Sequence, residues 1–168
     1  SLIANLPNSG VLVIGSGTLK ITDTIIRNNA IGGVLLFNGA TADISGAKIL
    51  ENTFAMGAVS STATTTTMSI SDSLISGGTN GVDARADLAG GIAKVFVTRS
   101  TVDGCDLALI SHNNGGVGSS LITVSGSTIA NNGQGWSVSG AGTVIKSLGN
   151  NHIQDNTNPP IGTLTAAS

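Results

Sequence analysis

Apolar residues recur along the chain at a fixed phase within a longer repeat. One set of apolar positions is spaced 23–27 residues apart, and a second set follows each of them five residues later. The first set is Ile21, Ile44, Ile70, Val97, Val124 and Leu148, and the second is Ile26, Ile49, Ile75, Val102, Ile129 and Ile153. Self-similarity at this period is typical of solenoids, in which each repeat stacks on the next. The pattern therefore predicts about six stacked coils.

The phase within each repeat predicts a corner between two short strands. Apolar residues occupy the first set of positions and the positions two residues before them. The next inward positions come three and five residues after the first set. Side chains of a straight strand alternate strictly, so an even series that becomes odd requires a bend. The residues at the expected bend are Asp23, Gly46, Asp72, Arg99, Gly126 and Asn150. We expect Asp72 and Arg99, which stand in adjacent coils, to form an ion pair.

A further segment, often opened by glycine, follows each pair of strands. These segments are "GVLLFNG" (33–39), "GAVSS" (57–61), "GVDARAD" (81–87), "LALISHN" (107–113), "GWSVSG" (135–140) and "IGTLTAA" (161–167). One period then contains three short strands and three turns, and successive coils pair in parallel at about 4.8 Å. The predicted fold is all-β: a single β-solenoid domain over residues 1–168, with coils of 23–27 residues.

These repeats resemble the right-handed parallel β-helix, or pectate-lyase-like, superfamily over nearly the whole chain. The resemblance implies a ladder of Asn or Asp at the bend, where Asn150 in "GNNHI" is the best match. It also implies that a site, if present, lies on the outer face of the glycine-led strand and its flanking loops. Such solenoids host many functions, so the resemblance predicts fold more strongly than activity.

The first residues predict an incomplete starting coil. "IANLPNSGVLVIG" (3–15) aligns with "IRNNAIGGVLLFN" (26–38) at an offset of 23 residues. We therefore expect the chain to begin in the middle of a coil, as the C-terminal piece of a longer solenoid. An uncovered first coil would expose strand edges and favour self-association there.

Composition narrows the function classes. Charged residues are 10% and aromatic residues 2% of the chain, whose net charge is −2, so the basic stripes and stacking rings of nucleic-acid binders are missing. No apolar run is long enough for a membrane span. Cys105 is the only cysteine, which excludes an internal disulfide and predicts an inert thiol. Neither a metal nor a cofactor is expected.

The candidate ligand-binding residues are Asp83, Arg85, Asp87 and His112. The first three occupy alternating outward positions of one glycine-led segment, and pairing Val82 with Leu107 would place His112 beside Asp87. The loops 86–94 and 111–120 next to them are the longest of the chain. Alternating charges of this kind are also typical of a solvated ion-pair row, which is the interpretation that the pattern itself favours.

No catalytic residues are predicted. Asp83 and Asp87 stand four residues apart, about 13 Å on an extended strand, whereas glycosidase carboxylates are separated by about 5–9.5 Å. The sequence instead favours a structural or recognition module of an extracellular or cell-surface protein, which binds a glycan or a protein. The alternative is a fragment of a carbohydrate-active enzyme, similar to a lyase or hydrolase, with the four candidate residues in its groove. A minor alternative is ice binding by the outward column Thr22, Ser45, Ser71, Thr98 and Ser125.

Overall fold

A computed structural model describes residues 1–166, which form 20 strands in three parallel sheets. Sheet A contains β1 (Leu2–Ala4), β4 (Ile25–Arg27), β7 (Lys48–Leu50), β10 (Leu74–Ser76), β13 (Thr101–Asp103), β16 (Thr128–Ala130) and β19 (His152–Gln154). Sheet B contains β2 (Val11–Ile14), β5 (Gly32–Phe37), β8 (Phe54–Ser60), β11 (Asn80–Ala86), β14 (Leu107–His112) and β17 (Gln134–Ser139). Sheet C contains β3 (Thr18–Thr22), β6 (Thr41–Ser45), β9 (Thr65–Ser71), β12 (Ile92–Thr98), β15 (Ser119–Ser125), β18 (Thr143–Ser147) and β20 (Leu164–Ala166).

Each coil passes through sheets C, A and B in turn, and each strand pairs in parallel with its equivalent one coil away. Ile44 stacks between Ile21 and Ile70 in sheet C, and Ile49 stacks between Ile26 and Ile75 in sheet A. These isoleucines lie in the core. The predicted solenoid with three short strands per coil is therefore confirmed.

The predicted bend is confirmed between sheets C and A. Asp23, Gly46, Asp72, Arg99 and Gly126 all adopt the left-handed conformation, with φ between 45° and 61°. This conformation redirects the chain within one residue, which explains why the inward phase changes from even to odd. Arg99 donates two hydrogen bonds of 2.8 Å to the exposed carboxylate of Asp72, as predicted, and this pairing lowers the pKa of Asp72.

The last coil departs from the sequence alignment. Ser147, rather than Leu148, pairs with Val124 in sheet C, and Leu148 is half exposed. The extra residue lies within the bend, where Gly149 takes a φ of 81°, and the expected register returns where His152 pairs with Thr128. The prediction that Leu148 faces inward was wrong, because the spacing of apolar residues does not show where a coil gains one residue.

The segment 161–167 does not form the predicted sixth strand in register with "GWSVSG". Ile161 makes only an isolated bridge to Ser137, and β20 (Leu164–Ala166) pairs with β18 in sheet C. Residue 167 lies outside the described part of the chain. In the second full coil the predicted strand 57–61 was too short, since β8 begins at Phe54 rather than at Gly57.

A buried asparagine ladder lies at the turn between sheets A and B, not at the bend where it was expected. Its members are Asn29, Asn52, Asn132 and Asn156, while Gly78 and Cys105 occupy the equivalent places in the two middle coils. Each amide oxygen accepts a hydrogen bond from a backbone N–H one coil earlier. Asn52, Asn132 and Asn156 donate to backbone carbonyls, whereas Asn29 donates to the side-chain oxygen of Asn52. At the bend, Asn150 alone of the ladder residues expected there accepts a backbone N–H, from Gly126 at 2.9 Å.

A second ladder, made of hydroxyl groups, lines the inner side of the bend. Ser73, Ser100 and Ser127 each donate to the carbonyl two residues earlier, at 2.7–2.9 Å. Each also accepts the N–H of the equivalent residue one coil earlier at 3.1 Å. The inward position predicted three residues after the first set is therefore confirmed, and its hydroxyl satisfies backbone groups that the sheets leave free.

Replacing Asn52 with alanine is expected to lower the free energy of unfolding by about 3 kcal/mol, because several buried polar groups lose their partner. Asn52 is fully buried, accepts from the backbone and side chain of Asn29, and donates to two carbonyls. Urea unfolding followed by circular dichroism measures the change. The control is Asn8→Ala, an exposed position expected to change stability by less than about 0.5 kcal/mol. Equal effects of the two substitutions would contradict the role of the ladder.

Cys105 is expected to resist thiol reagents in the folded protein at pH 8. Burial, followed by the charges of Asp103 and Asp106, raises the pKa of its thiol to about 12, so almost no thiolate is present. Reaction with Ellman's reagent should go to completion only after unfolding in denaturant. Rapid labelling of the folded protein would show that the thiol is neither buried nor inert.

Candidate functional site

The outer face of sheet B carries two columns of outward side chains that change character along the rod. One column is Leu12, Leu35, Gly57, Asp83, Ile110 and Ser137, and the other is Ile14, Phe37, Val59, Arg85, His112 and Ser139. Both columns are apolar in the early coils, carry charge in the middle and end in hydroxyl groups. An apolar surface thus meets a charged cluster at the middle of this face.

The register around the cluster differs from the prediction by two residues. Val82 pairs with Leu109 rather than Leu107, so that Arg85 lies opposite His112. The reason lies at the start of the strands, where Ala108 is fully buried and a Cβ on Gly81 would meet the carbonyl oxygen of Ala108. Ala108 and Leu109 thus both face inward, and Asp83 and Arg85 pair with the outward residues Ile110 and His112.

The four predicted site residues come together as two close pairs. Asp83 Oδ1 lies 3.1 Å from His112 Nε2, and Arg85 Nε lies 3.2 Å from Asp87 Oδ2. Asp83 is only 6% exposed, and the other three side chains are about a quarter exposed. The side chains therefore pair, as the sequence pattern favoured, but the row is not fully solvated, because the carboxylate of Asp83 is buried.

Three polar atoms of this cluster are buried without a hydrogen-bond partner. They are Asp83 Oδ1, Arg85 Nε and His112 Nε2; elsewhere in residues 1–166 only Asp103 Oδ1 is in this position. The short distances do not contradict this, since the donors and acceptors are not aligned well enough for hydrogen bonds. Buried polar groups are normally satisfied, so such a concentration calls for an explanation.

Asp87 has a different role from its neighbours. Its carboxylate accepts hydrogen bonds from Ser61 Oγ at 3.4 Å and from the backbone N–H of Asn114 at 3.3 Å. These bonds connect Asp87 to the loops of the coils before and after it. Asp87 thus holds the rim of the site, while Asp83, Arg85 and His112 face its interior.

An apolar hollow of about 170 Å³ lies beside the charged cluster. It is lined by Ile31, Leu35, Phe37, Phe54, Gly57, Val59, Asp83 and Arg85. Gly57 leaves the column open between Leu35 and Asp83, and a Cβ at Gly57 would lie 3.0 Å from a Leu35 methyl group. This apolar wall was not predicted, although "GGVLLF" continues apolar where a half-buried strand would alternate.

The loops that leave sheet B lengthen toward the site. Connections from sheet B to sheet C contain three, three, four, five, six and three residues in successive coils. The longest of these connections are 87–91 after β11 and 113–118 after β14, both shorter than the predicted loops 86–94 and 111–120. They are not the longest of the chain as predicted, since the connection 155–163 between β19 and β20 has nine residues. Their position at the edge of the cluster makes them the natural walls of a binding site.

Other predicted features give no comparable site. The Ser/Thr column Thr22, Ser45, Ser71, Thr98 and Ser125 is in register, but it is one residue wide and runs beside a column containing Lys20, Asp43 and Phe96. Within residues 1–166 no group of three His, Cys, Asp or Glu side chains could hold a metal ion. No helix among these residues is long and apolar enough to cross a membrane.

Three parallel sheets around a ladder-lined core define a β-solenoid with one distinctive outer face. The family model of the right-handed β-helix region matches residues 9–167. The chain belongs to this family, which confirms the predicted right-handed parallel β-helix. Searches of curated proteins and of solved structures gave no match.

Replacing Asp83 with asparagine is expected to raise the free energy of unfolding by about 1 kcal/mol, because a buried charge without a well-formed hydrogen bond becomes a neutral amide of the same shape. Urea unfolding of the two proteins measures the difference. A loss of stability of similar size would show instead that the contact with His112 is a structural ion pair.

Proposed function

We propose that this β-helix is a recognition module of an exported or cell-surface protein, and that it binds a glycan on the outer face of sheet B. The binding residues in this proposal are Asp83, Arg85 and His112, with Asp87 holding the rim. The observation that carries the proposal is the set of three buried polar atoms without hydrogen-bond partners on one outer face. Polar groups left in this state are typical of binding sites, where a ligand supplies the missing partner.

The neighbouring hollow supports a saccharide as the ligand. Sugar rings combine an apolar C–H face with hydroxyl groups, and the site offers Phe37 and Phe54 beside a carboxylate, a guanidinium and an imidazole. The hollow of about 170 Å³ is smaller than the roughly 300 Å³ at which sites for drug-sized ligands begin. It therefore suits a single ring of a longer chain that lies along the rod.

A protein partner is the competing occupant of the same face. Exposed Leu12 and Ile14 extend the apolar surface toward the first coil, and an extended peptide could lie over it. The buried charged cluster argues for the glycan, since the cores of protein interfaces are depleted of charged residues.

A carbohydrate-active enzyme remains the second candidate, favoured by one observation. Asp83 and His112 are 3.1 Å apart, which is the arrangement of a carboxylate that orients an imidazole for proton transfer. A second carboxylate at glycosidase spacing is not evident, because Asp87 is four residues from Asp83 and is engaged by the loops.

Binding is expected to depend on the cluster and not on an ion pair elsewhere on the same coils. A glycan array identifies a ligand, and isothermal titration calorimetry measures its affinity for the wild type and variants. Asp83→Asn and Arg85→Met should each weaken binding at least about tenfold, equivalent to roughly 1.4 kcal/mol. The matched controls are Asp72→Asn and Arg99→Met, which alter the exposed bend and should leave the affinity unchanged within about twofold.

Equal effects of both pairs of variants, or none from Asp83 and Arg85, would overturn this location of the site. The same proteins, assayed for new reducing ends or unsaturated products, separate recognition from catalysis. The proposal expects binding without cleavage. Cleavage that is lost in Asp83→Asn but kept in Asp72→Asn would establish the enzyme instead.

A further inference from the structure

The dipeptide Asn-Gly occurs four times, at residues 38–39, 80–81, 114–115 and 132–133. In this dipeptide the backbone nitrogen of glycine can attack the side-chain carbonyl carbon of asparagine, since glycine offers no Cβ to block the approach. The reaction needs a free asparagine side chain, a glycine N–H outside any hydrogen bond, and a backbone able to rotate. The four sites in this rod differ in all three respects.

Two of the four sites are fixed by hydrogen bonds at both reacting groups. Asn38 Oδ1 accepts the N–H of Ser61 at 2.8 Å, and the N–H of Gly39 donates to Thr66 Oγ1 at 3.0 Å. Asn132, a member of the buried ladder, donates to two carbonyls, and the N–H of Gly133 donates to Cys105 O at 2.8 Å. Neither glycine nitrogen is free to attack.

The third site is fixed by the sheet. Asn80 opens β11, which pairs with both β8 and β14, and Gly81 is buried against the backbone of Ala108. An extended strand with neighbours on both sides does not permit the rotation that ring closure requires. This site is therefore also protected.

Asn114 and Gly115 lie in the middle of the six-residue loop 113–118 and lack all of these restraints. Asn114 is exposed, Gly115 has a φ of 73°, and no atom lies within 4 Å of the place where a Cβ on Gly115 would be. Among the described residues, neither the Asn114 side chain nor the Gly115 N–H has a hydrogen-bond partner. The start of the loop is held by Asn113, whose N–H donates to Ser139 O and whose Nδ2 donates to Ala141 O and Gly118 O, and Asn114 N donates to Asp87 Oδ1.

We propose that Asn114 is a site of spontaneous deamidation, and that the fold protects the other three Asn-Gly sites. The nitrogen of Gly115 loses its proton and bonds to Asn114 Cγ; the bond from Cγ to Nδ2 breaks, and ammonia leaves. Water then opens the resulting succinimide at either carbonyl and gives aspartate or isoaspartate. The net change is the gain of one water and the loss of one ammonia, with no oxidant or reductant.

The modification would place a carboxylate beside the rim of the candidate site. The backbone N–H of Asn114 donates to Asp87, so the new negative charge arises within one residue of that contact. The isoaspartate product also lengthens the loop backbone by one methylene. Any effect on glycan affinity rests on the proposed function, whereas the modification itself does not.

Peptide mapping after incubation of the folded protein at pH 8.5 tests the proposal. Trypsin releases residues 100–146 as one peptide that contains both Asn114 and Asn132, so fragmentation compares the two within the same molecule. We expect the mass increase of amide-to-acid exchange at Asn114 at least tenfold faster than at Asn38, Asn80 or Asn132. In Asn114→Gln the fast phase should disappear, and in denaturant all four sites should react at similar rates.

Two results would overturn the proposal. One is modification of a second Asn-Gly site in the folded protein as fast as Asn114. The other is an intact Asn114 in the folded protein while the same residue reacts in denaturant. Since the readout is a mass change in the absence of any ligand, failure here leaves the glycan-binding experiment unaffected.

Discussion

Parallel hydrogen bonding between successive coils is the constraint on which the rest of this structure depends. It places each residue over its equivalent one coil away, at about 4.8 Å, so inward positions must be compatible with copies of themselves. Apolar side chains meet this condition directly. Inward polar groups meet it only as ladders, in which each serine or asparagine satisfies the backbone of the coil before it, as Ser100 does for Ser73. The interior is thus a set of stacked columns, and the turns of the chain are fixed by the hydrogen bonds of the serine and asparagine columns.

The same stacking brings distant residues together on the outside, where identity between coils is not required. Asp83 and His112 are far apart in the sequence, but they become neighbours because β11 and β14 are adjacent strands of sheet B. Core packing does not explain the buried carboxylate of Asp83, and the missing side chain at Gly57 leaves the adjacent column open. These departures from a regular outer surface set this face apart from the columns of sheet C and make it the candidate site.

The hydrophobic period was sufficient to predict the solenoid, the bend and the Asp72–Arg99 pair, because all three follow from which residues face inward. It could not reveal how neighbouring coils align when one of them gains a residue. In the last coil an extra residue places Ser147 rather than Leu148 opposite Val124. In sheet B, Val82 pairs with Leu109 rather than Leu107, and neither change interrupts the apolar pattern. The four site residues were identified from clustered charge, yet the burial of Asp83 and the apolar wall formed by Leu35, Phe37 and Val59 depend on three coils at once. A single strand's pattern does not contain that information.

The connections between sheets B and C lengthen to six residues without disturbing the strands that they join. Because loop closure costs only about 0.6 kcal/mol for each doubling of length, this edge can accept longer insertions, whereas the bend between sheets C and A gains a single residue in the last coil. Loops of different length can therefore be carried at this one edge while the ladders keep the frame constant. The molecule separates a tightly stacked rod from a margin that tolerates change.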